Sequence, residues 1–162
     1  MIRSTTIAFF LIIASTAFAQ RGRIGMLEYT IGLRVGVNSG ITYQTFLKDH
    51  ISIEAMATMN NGAFALTPLF QYHFSTPVKG FKWYMGAGGH GMLHPVGLKR
   101  DDIHNDFNGF VFVPGLDAMV GMEYFFRSVP VMVSFDYKPE YNFGIINAVN
   151  KNIAAFSIRY RF

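Results

Sequence analysis

Histidine and serine side chains are the candidates for acid–base and nucleophilic chemistry in this chain. His90, His94 and His104 lie close together in the sequence, and Ser39 is the nearest serine on their side of the strand order predicted below. Acyl transfer by a serine needs a base and an orienting carboxylate within hydrogen-bonding reach. No spacing in the sequence pairs Ser39 with a histidine. We therefore interpret His90 as a hydrogen-bonded interior residue and predict no catalytic residue.

Acidic residues in the segment KRDDIHNDFNG form a second candidate site. Asp101, Asp102, His104 and Asp106 offer ligand atoms, and carboxylate oxygens suit hard divalent cations. Their spacing does not follow the calcium-binding EF-hand pattern. We interpret the segment as a solvated loop and predict neither a metal nor another cofactor. The two basic residues that open it are candidates for contact with lipid phosphate groups.

Charged residues at alternate positions of apolar segments indicate an interior polar network. Five are basic and five are acidic: Arg34, Lys82, Lys138, Arg159 and Arg161, with Glu54, Asp117, Glu123, Asp136 and Glu140. Because unpaired charges in a narrow interior are costly, equal numbers of the two signs favour mutual pairing. The alternative is an ion path or proton relay, which needs a continuous column of water.

An alternation of period two predicts the strands that position these groups. In YTIGLRVGV, for example, Tyr29, Ile31 and Leu33 share one face, whereas Arg34 lies on the other. The pattern predicts eight strands, at about 29–37, 41–47, 51–59, 63–74, 81–90, 110–126, 131–141 and 153–162. The connections include short ones at 48–50, 75–80 and 127–130 and long ones at 92–109 and 142–152.

Pro68 lies inside the fourth predicted strand. Proline has no donor for the ladder of a sheet, and a closed barrel has no free edge, so we expect a β-bulge there. A local gap towards the lipid phase, through which acyl chains enter, is the alternative.

The placement of the charged face decides between a soluble and a membrane barrel. An eight-stranded barrel encloses a space just wide enough for side chains. The aromatic face would overfill that space, whereas the charged face also carries Gly32, Gly86 and Gly121. The charged face therefore points inward and the aromatic face points to lipid. A soluble, lipocalin-like barrel would need the opposite arrangement.

The predicted fold is all-β: an eight-stranded, antiparallel, up-and-down transmembrane β-barrel. Only a closed barrel allows strands to cross hydrocarbon, since an open edge leaves backbone groups unsatisfied. Ten residues, tilted by about 40°, rise roughly 25 Å, which is the height of the apolar band of such barrels. The interior is predicted to hold the charge-balanced network and no wide pore.

Composition and the N-terminus agree with an exported membrane protein. Charged residues make up 15% of the chain, against about 25% in soluble domains, and there is no cysteine. The formal charge of +4 is spread along the chain, which argues against nucleic-acid binding. Arg3, an apolar run and Ala17-Phe18-Ala19 predict a cleavable signal peptide over 1–19. Residues 20–162 then form the barrel domain, and we predict no second domain.

Aromatic residues at the strand ends next to the short turns predict an interfacial girdle. They are Tyr29, Phe74, Phe81, Trp83, Tyr124, Phe126, Tyr160 and Phe162. A terminal Phe162 preceded by Tyr160 at the alternate position resembles the C-terminal signal that the outer-membrane assembly machinery recognises. The chain as a whole resembles the small OmpA/OmpX-like outer-membrane barrels of Gram-negative bacteria. The segments that carry this resemblance are GLRVGVNSGITYQTFLKDHISIEA, WYMGAGGH, GLDAMVGMEYFF and VSFDYKP.

The resemblance covers nearly all of 26–162 and implies a fold and a location rather than an activity. We expect a non-enzymatic protein of the cell outer membrane, exported through the periplasm, with a structural or surface-interaction role. The expected partners are outer-membrane lipid, lipopolysaccharide and the assembly machinery, with a monomeric state. The long connections 92–109 and 142–152 are the expected interaction sites. The alternative is a lipid-modifying enzyme of the lipid A acyltransferase or deacylase type.

Overall fold

Ten β-strands make up the regular structure of the protein. A computed structural model describes residues 28–98, 107–143, 148–150 and 153–162. The strands are β1 (Glu28–Gly36), β2 (Ser39–Lys48), β3 (Ile51–Asn60), β4 (Ala63–Ser75), β5 (Phe81–Leu98), β6 (Phe107–Phe125), β7 (Val131–Tyr137), β8 (Glu140–Asn142), β9 (Ala148–Asn150) and β10 (Ala154–Arg161). The predicted signal peptide, 1–19, lies outside the described residues.

The strands close into one antiparallel barrel, whose wall has eight strand positions. β1 pairs with β2 and with β10, and β5 pairs with both β4 and β6, so the sheet has no start or end. β7 and β8 both pair with β6 and together occupy the seventh position. β9 pairs with β8, β10 pairs with β7, and together they occupy the eighth. The predicted eight-stranded antiparallel barrel is confirmed. Within the described residues, no helix has the length and hydropathy needed to cross a membrane.

The two ends of the barrel differ in their connections. Segments 49–50, 76–80 and 126–130 join strands at what we call the turn end. Segments 37–38, 61–62, 99–106 and 143–147 join them at the loop end. The 61–62 connection is an Asn-Gly pair in which Asn61 (φ 47°) and Gly62 (φ 81°) both have positive φ. Two-residue hairpin turns favour this sequence, because glycine and asparagine tolerate the left-handed conformation.

Burial is inverted relative to a soluble domain. Among the described residues, 21 polar or charged side chains are buried, against nine hydrophobic ones. Large apolar side chains face outward, as with Leu33 at 63% and Phe110 at 69% exposure. Because side chains alternate across a strand, a single register places each charged position inside and its apolar neighbours outside. The exterior is a continuous apolar surface of the kind that lipid covers.

Glycines on the inner face leave room for the large interior side chains. A Cβ added at Gly121 would lie 2.6 Å from Tyr84 Cζ and from its hydroxyl oxygen. A Cβ at Gly86 would lie 2.9 Å from Gln71 Cγ. In a narrow barrel the small and the large residues must therefore lie opposite one another.

The predicted long loop at 92–109 is mostly strand. β5 continues to Leu98 and β6 begins at Phe107, so that the two form a hairpin paired from His94 with Val111 up to Leu98 with Phe107. The pairing of β4 with β5 ends at Phe64 and Leu93, so the hairpin extends beyond its neighbour. Because proline is unfavourable in most strand positions, the segment around Pro95 was predicted as a loop. In a two-stranded ribbon one edge of each strand is unpaired, and proline is tolerated there.

The predicted strand 131–141 is interrupted at Lys138 and Pro139, and the predicted loop 142–152 contains β9. The bulge expected at Pro68 is absent. The β4–β5 register is the same at Leu66 with Gly91 and at Leu69 with Gly88, so the ladder omits the positions between them without a shift. The register shift of the described strands lies instead between Phe46 and Lys48.

Candidate functional site

The ten charged residues singled out from the sequence occupy two kinds of position. Eight are buried inside the barrel: Arg34, Glu54, Asp117, Glu123, Asp136, Lys138, Glu140 and Arg159. Lys82 and Arg161 lie instead at the turn-end rim. Lys82 Nζ is 5.5 Å from the centroid of the Phe46 ring. Arg161 is 36% exposed, lies 3.8 Å above the Phe125 ring and pairs with Glu28 at 3.2 Å.

Two ion pairs, which we call the central ion pairs, cross the middle of the interior. Arg34 on β1 donates two hydrogen bonds to Asp136 on β7, at 2.7 and 2.6 Å. The Tyr84 hydroxyl also lies 3.3 Å from Asp136. Planar guanidinium and carboxylate groups match in this bidentate geometry, which makes it one of the stronger forms of ion pair.

The second central pair joins Arg159 on β10 to Glu54 on β3. Thr42 on β2 donates to the same carboxylate, and Gln71 on β4 donates to its other oxygen at 2.5 Å. Both charged side chains are fully buried. A buried carboxylate with three donors recovers much of the solvation that it loses, so these contacts offset much of the cost of burying Glu54.

A turn-end cluster of Gln44, Ser52, Gln71, His73 and Glu123 lies below the central ion pairs. Ser52 Oγ is 2.8 Å from His73 Nε2, and His73 Nδ1 is 2.9 Å from Glu123 Oε1. Sequence reasoning missed this serine–histidine–carboxylate arrangement, because its members lie 21 and 50 positions apart.

The arrangement at Ser52 has the distances of a hydrolytic triad but not its accessibility. Ser52 is fully buried, and its hydroxyl donates to Gln71 Oε1 at 3.1 Å. None of its three members lines the cavity described below. A nucleophile must reach a substrate carbonyl. We therefore assign the turn-end cluster to packing of the interior.

A loop-end cluster of His90, Asp117, Lys138, Glu140 and Asn142 lies above the central ion pairs. Lys138 Nζ donates to Asp117 at 2.6 Å and to Glu140 at 3.1 Å. His90 Nδ1 is 2.8 Å from the other Asp117 oxygen, and His90 Nε2 is 2.8 Å from Asn142 Oδ1. Lys138 and Glu140 lie two positions apart, on either side of Pro139, and both side chains are directed inward.

His90, Asp117 and Glu140 hold ligand atoms within 4.8 Å of one another. Three such groups resemble a divalent-cation site in composition. The Lys138 ammonium, however, already bridges both carboxylates and supplies the compensating positive charge. The arrangement is thus an ion-pair cluster in which lysine occupies the cation position. The acidic segment considered from the sequence, Asp101, Asp102, His104 and Asp106, lies outside the described residues.

A cavity of about 300 Å³ lies directly above the loop-end cluster and is partly open. The polar and charged residues among its described lining are Asn38, Thr58, Asn60, Asn61, His90, His94, Lys138, Glu140 and Asn142. Ala63, Ala65, Met92 and Val149 also line it. Its size lies at the lower end of the range for small-molecule sites.

Several buried polar atoms of the interior have no hydrogen-bond partner. Asn38 Oδ1, at the cavity, is one. Arg34 Nε, Arg159 Nε and Nη1, and the Ser134 and Ser157 hydroxyls are others. Ser157 lies opposite Arg34 on one side and opposite Ser134 on the other, so the wall formed by β1, β10 and β7 carries unsatisfied donors. Polar groups in this state mark the positions where additional hydrogen-bond partners bind most favourably.

The other residues considered for catalysis do not assemble with a base. Ser39 Oγ hydrogen-bonds to the backbone of Gly36 at 3.0 and 3.2 Å. His94 lines the cavity, and His104 lies outside the described residues. His90 has an orienting carboxylate in Asp117, but its second nitrogen contacts an amide instead of a hydroxyl.

The outer surface carries an aromatic rim at the turn end. Phe162 stacks against Tyr29, with 6.1 Å between ring centroids, and lies 6.5 Å from Tyr160. Phe162 N–H donates to the Tyr29 carbonyl at 3.0 Å, so the last residue is held against the first strand. Tyr124 with Phe126 and Phe81 with Trp83 form edge-to-face pairs in the same rim. Rings of this kind favour the membrane–water interface.

A closed eight-stranded barrel with a polar interior, an apolar exterior and an aromatic rim defines the class of small OmpA/OmpX-like outer-membrane barrels. The N-terminal β-barrel domain of Pseudomonas aeruginosa OprF matches with a TM-score of 0.58 and 16% identity, over 84% of this chain and 96% of that chain. Neisserial surface protein A (NspA) matches with a TM-score of 0.56 and 18% identity, over 84% and 94%. No protein-family model and no curated protein sequence matches the chain. The chain has the fold of this class.

Proposed function

We propose that the protein is a non-enzymatic integral outer-membrane barrel with a structural or surface-interaction role and a sealed interior. The observation that carries this proposal is the pair of central ion pairs. Arg34, Asp136, Glu54 and Arg159 are all buried and bind one another across the interior. A barrel of this strand number is just wide enough for such side chains, which leaves no wide pore.

The proposed partners follow from the apolar exterior of the barrel and from the aromatic residues at the end of β10. Outer-membrane lipid and lipopolysaccharide cover the apolar exterior, and the chain reaches them after export through the periplasm. Tyr160 and Phe162 act as the signal for the assembly machinery. Both are exposed on the outer face, and the Phe162 backbone is fixed to β1. The barrel works as a monomer.

The surface role belongs to the loop end. The β5–β6 hairpin extends beyond the last paired residue of β4, and exposed Phe110 and Phe112 lie on its outer face. This ribbon is the part of the described chain that rises furthest above its neighbouring strands, so a surface partner meets it first.

Three measurements test this proposal. The protein should fractionate with the outer membrane and show a heat-dependent shift in electrophoretic mobility, since a folded barrel resists the detergent. In planar bilayers it should give no stable conductance. Deletion of Phe162 should slow or abolish assembly, whereas Phe126→Ala at the same rim should not. A detergent-independent soluble protein, or a steady wide-pore current from the wild type, would overturn the proposal.

The alternative, a lipid-modifying enzyme of the lipid A acyltransferase or deacylase type, has one favourable observation. His90 and Asp117 form a base–carboxylate pair beside the cavity. Mass spectrometry of outer-membrane lipids from cells with and without the protein separates the two functions. The structural role predicts identical lipid profiles. One acyl chain gained or lost, and restored by the wild type but not by His90→Gln, would replace it with the enzyme.

A further inference from the structure

We infer that the loop-end cavity binds a neutral, polyhydroxylated small molecule of the size of a single sugar ring. This inference goes beyond the structural role, because a sealed barrel does not need a ligand at its mouth. It rests on the cavity's size, the chemistry of its lining, an unsatisfied acceptor and the charge balance beneath it. The sugar is either free or part of a glycolipid in the outer leaflet.

Amides are the most frequent polar groups among the described residues that line the cavity. Asn38, Asn60, Asn61 and Asn142 contribute side chains, and Thr58 adds a hydroxyl. An amide presents an acceptor and two donors side by side, and a sugar hydroxyl also donates and accepts. Groups of this kind therefore satisfy one another in pairs. Met92, Ala65 and Val149 supply an apolar patch of the kind that the C–H face of a sugar ring covers.

Asn38 provides the observation that points to a missing partner. Its side chain is 7% exposed and lines the cavity, yet its Oδ1 has no hydrogen-bond partner. Buried amide oxygens are almost always bonded, and an unbonded one is destabilising. A ligand hydroxyl that donates to Asn38 Oδ1 removes this deficit.

The charges beneath the cavity exclude the two other obvious ligand classes. An anion would need a free cation, but the Lys138 ammonium is bound by Asp117 and Glu140 at 2.6 and 3.1 Å. A metal ion would have to displace the Lys138 ammonium, which already occupies the cation position between Asp117 and Glu140. Among the described lining residues, the remaining hydrogen-bonding groups are amides, a hydroxyl and His94, which favour a neutral polar ligand.

Calorimetric or NMR titration of the refolded barrel tests the inference. The detergent must be zwitterionic, because sugar-headed detergents would compete for the cavity. D-glucose, D-galactose and their methyl glycosides serve as free probes, and an alkyl maltoside serves as the glycolipid probe. Inorganic phosphate and Zn²⁺ serve as charged probes. We expect saturable, weak binding of at least one sugar and none of either charged probe.

Two substitutions identify the site. Asn38→Leu removes the unsatisfied acceptor and should weaken binding about tenfold, the effect of one hydrogen bond of ~1.4 kcal/mol. Ala65→Leu fills the cavity without removing a polar group and should abolish binding. Ala55→Leu is the matched control, since Ala55 lies on the outer face of the neighbouring strand.

Each outcome separates the sugar site from the structural role. Binding of free sugar that Ala65→Leu abolishes supports a soluble ligand, and binding of the alkyl maltoside alone supports a glycolipid headgroup. No saturable binding of any sugar, binding unchanged in Ala65→Leu, or binding of phosphate or Zn²⁺ instead overturns the inference. These results leave the proposed structural role unaffected, because membrane insertion and conductance are measured independently.

Discussion

The central ion pairs and the loop-end cluster both join acidic to basic side chains, but they do so in different surroundings. Arg159 and Glu54 are buried on every side and, through Thr42 and Gln71, connect β10 with β2, β3 and β4. Lys138 and Glu140 also form an ion pair, but they border an open cavity. The contrast shows that access to the open cavity, rather than the presence of an ion pair, determines whether a charged pair only connects strands or also borders a cavity.

The largest expected effect is on stability, at the central ion pairs. Glu54→Ala leaves Arg159 buried without its carboxylate, and breaking a buried pair in this way costs about 3–5 kcal/mol. Urea-driven unfolding from lipid vesicles measures the free energy of unfolding. A loss below about 1 kcal/mol would mean that the central pair behaves like a solvent-exposed one, since exposed pairs contribute that little.

The next effect is on conductance. Replacing both members of the Arg159–Glu54 pair with alanine should open the centre of the interior to water and ions, and planar-bilayer recordings should show discrete currents. Replacing His90 and Lys138 with alanine should not, because the loop-end cluster already lies beside an open cavity. Equal currents from the two double variants would show that the central pairs are not the seal.

A smaller, qualitative change is expected at the loop-end cluster. Lys138→Met removes the ammonium that bridges Asp117 and Glu140, and with it the positive charge that compensates the two carboxylates beside His90. The variant should acquire affinity for Zn²⁺, whereas the wild type should have none. Titration with a competing chelator measures the difference. Lys82→Met at the turn-end rim is the control, and equal Zn²⁺ affinity in that variant would exclude the loop-end cluster as its cause.

The smallest effect is expected at the rim. Glu28→Ala removes the partner of Arg161, but Glu28 is 53% exposed and the pair is 3.2 Å long. Exposed pairs contribute about 0–1 kcal/mol. The same urea titration should therefore find Glu28→Ala close to the wild type. A loss as large as that of Glu54→Ala would remove the distinction between buried and exposed pairs on which the comparison depends.

The sequence predicted which side chains face the interior of the barrel better than it predicted which of them bind one another. Alternation is a local property, so the inward direction of Arg34 and Asp136 could be inferred from their immediate neighbours. That these two residues bind each other could not, because they are 102 positions apart and meet only through the closure and stagger of the barrel. Their pairing depends on the register of every strand between them.

The errors along the chain have local physical causes. The distal part of the β5–β6 hairpin falls in the predicted loop 92–109, because His94 and Pro95 obscure the alternation and because a two-stranded ribbon tolerates Pro95 on its unpaired edge. The Ser52–His73–Glu123 arrangement was missed for a different reason. Its two contacts join residues on different strands, and the spacing of residues along the sequence does not indicate such contacts.

The link between Glu54 and Arg159 has a consequence for the order of membrane insertion. Glu54 lies on β3 and Arg159 on the last strand, 105 residues later. In a growing, unclosed sheet, Glu54 would face hydrocarbon or an open edge, where an ionisable side chain is unfavourable by a few kcal/mol. The early strands therefore gain little from entering the bilayer ahead of β10. Entry is favourable only as the ring closes, so the pairing of Glu54 with Arg159 couples closure of the barrel to its commitment to the membrane.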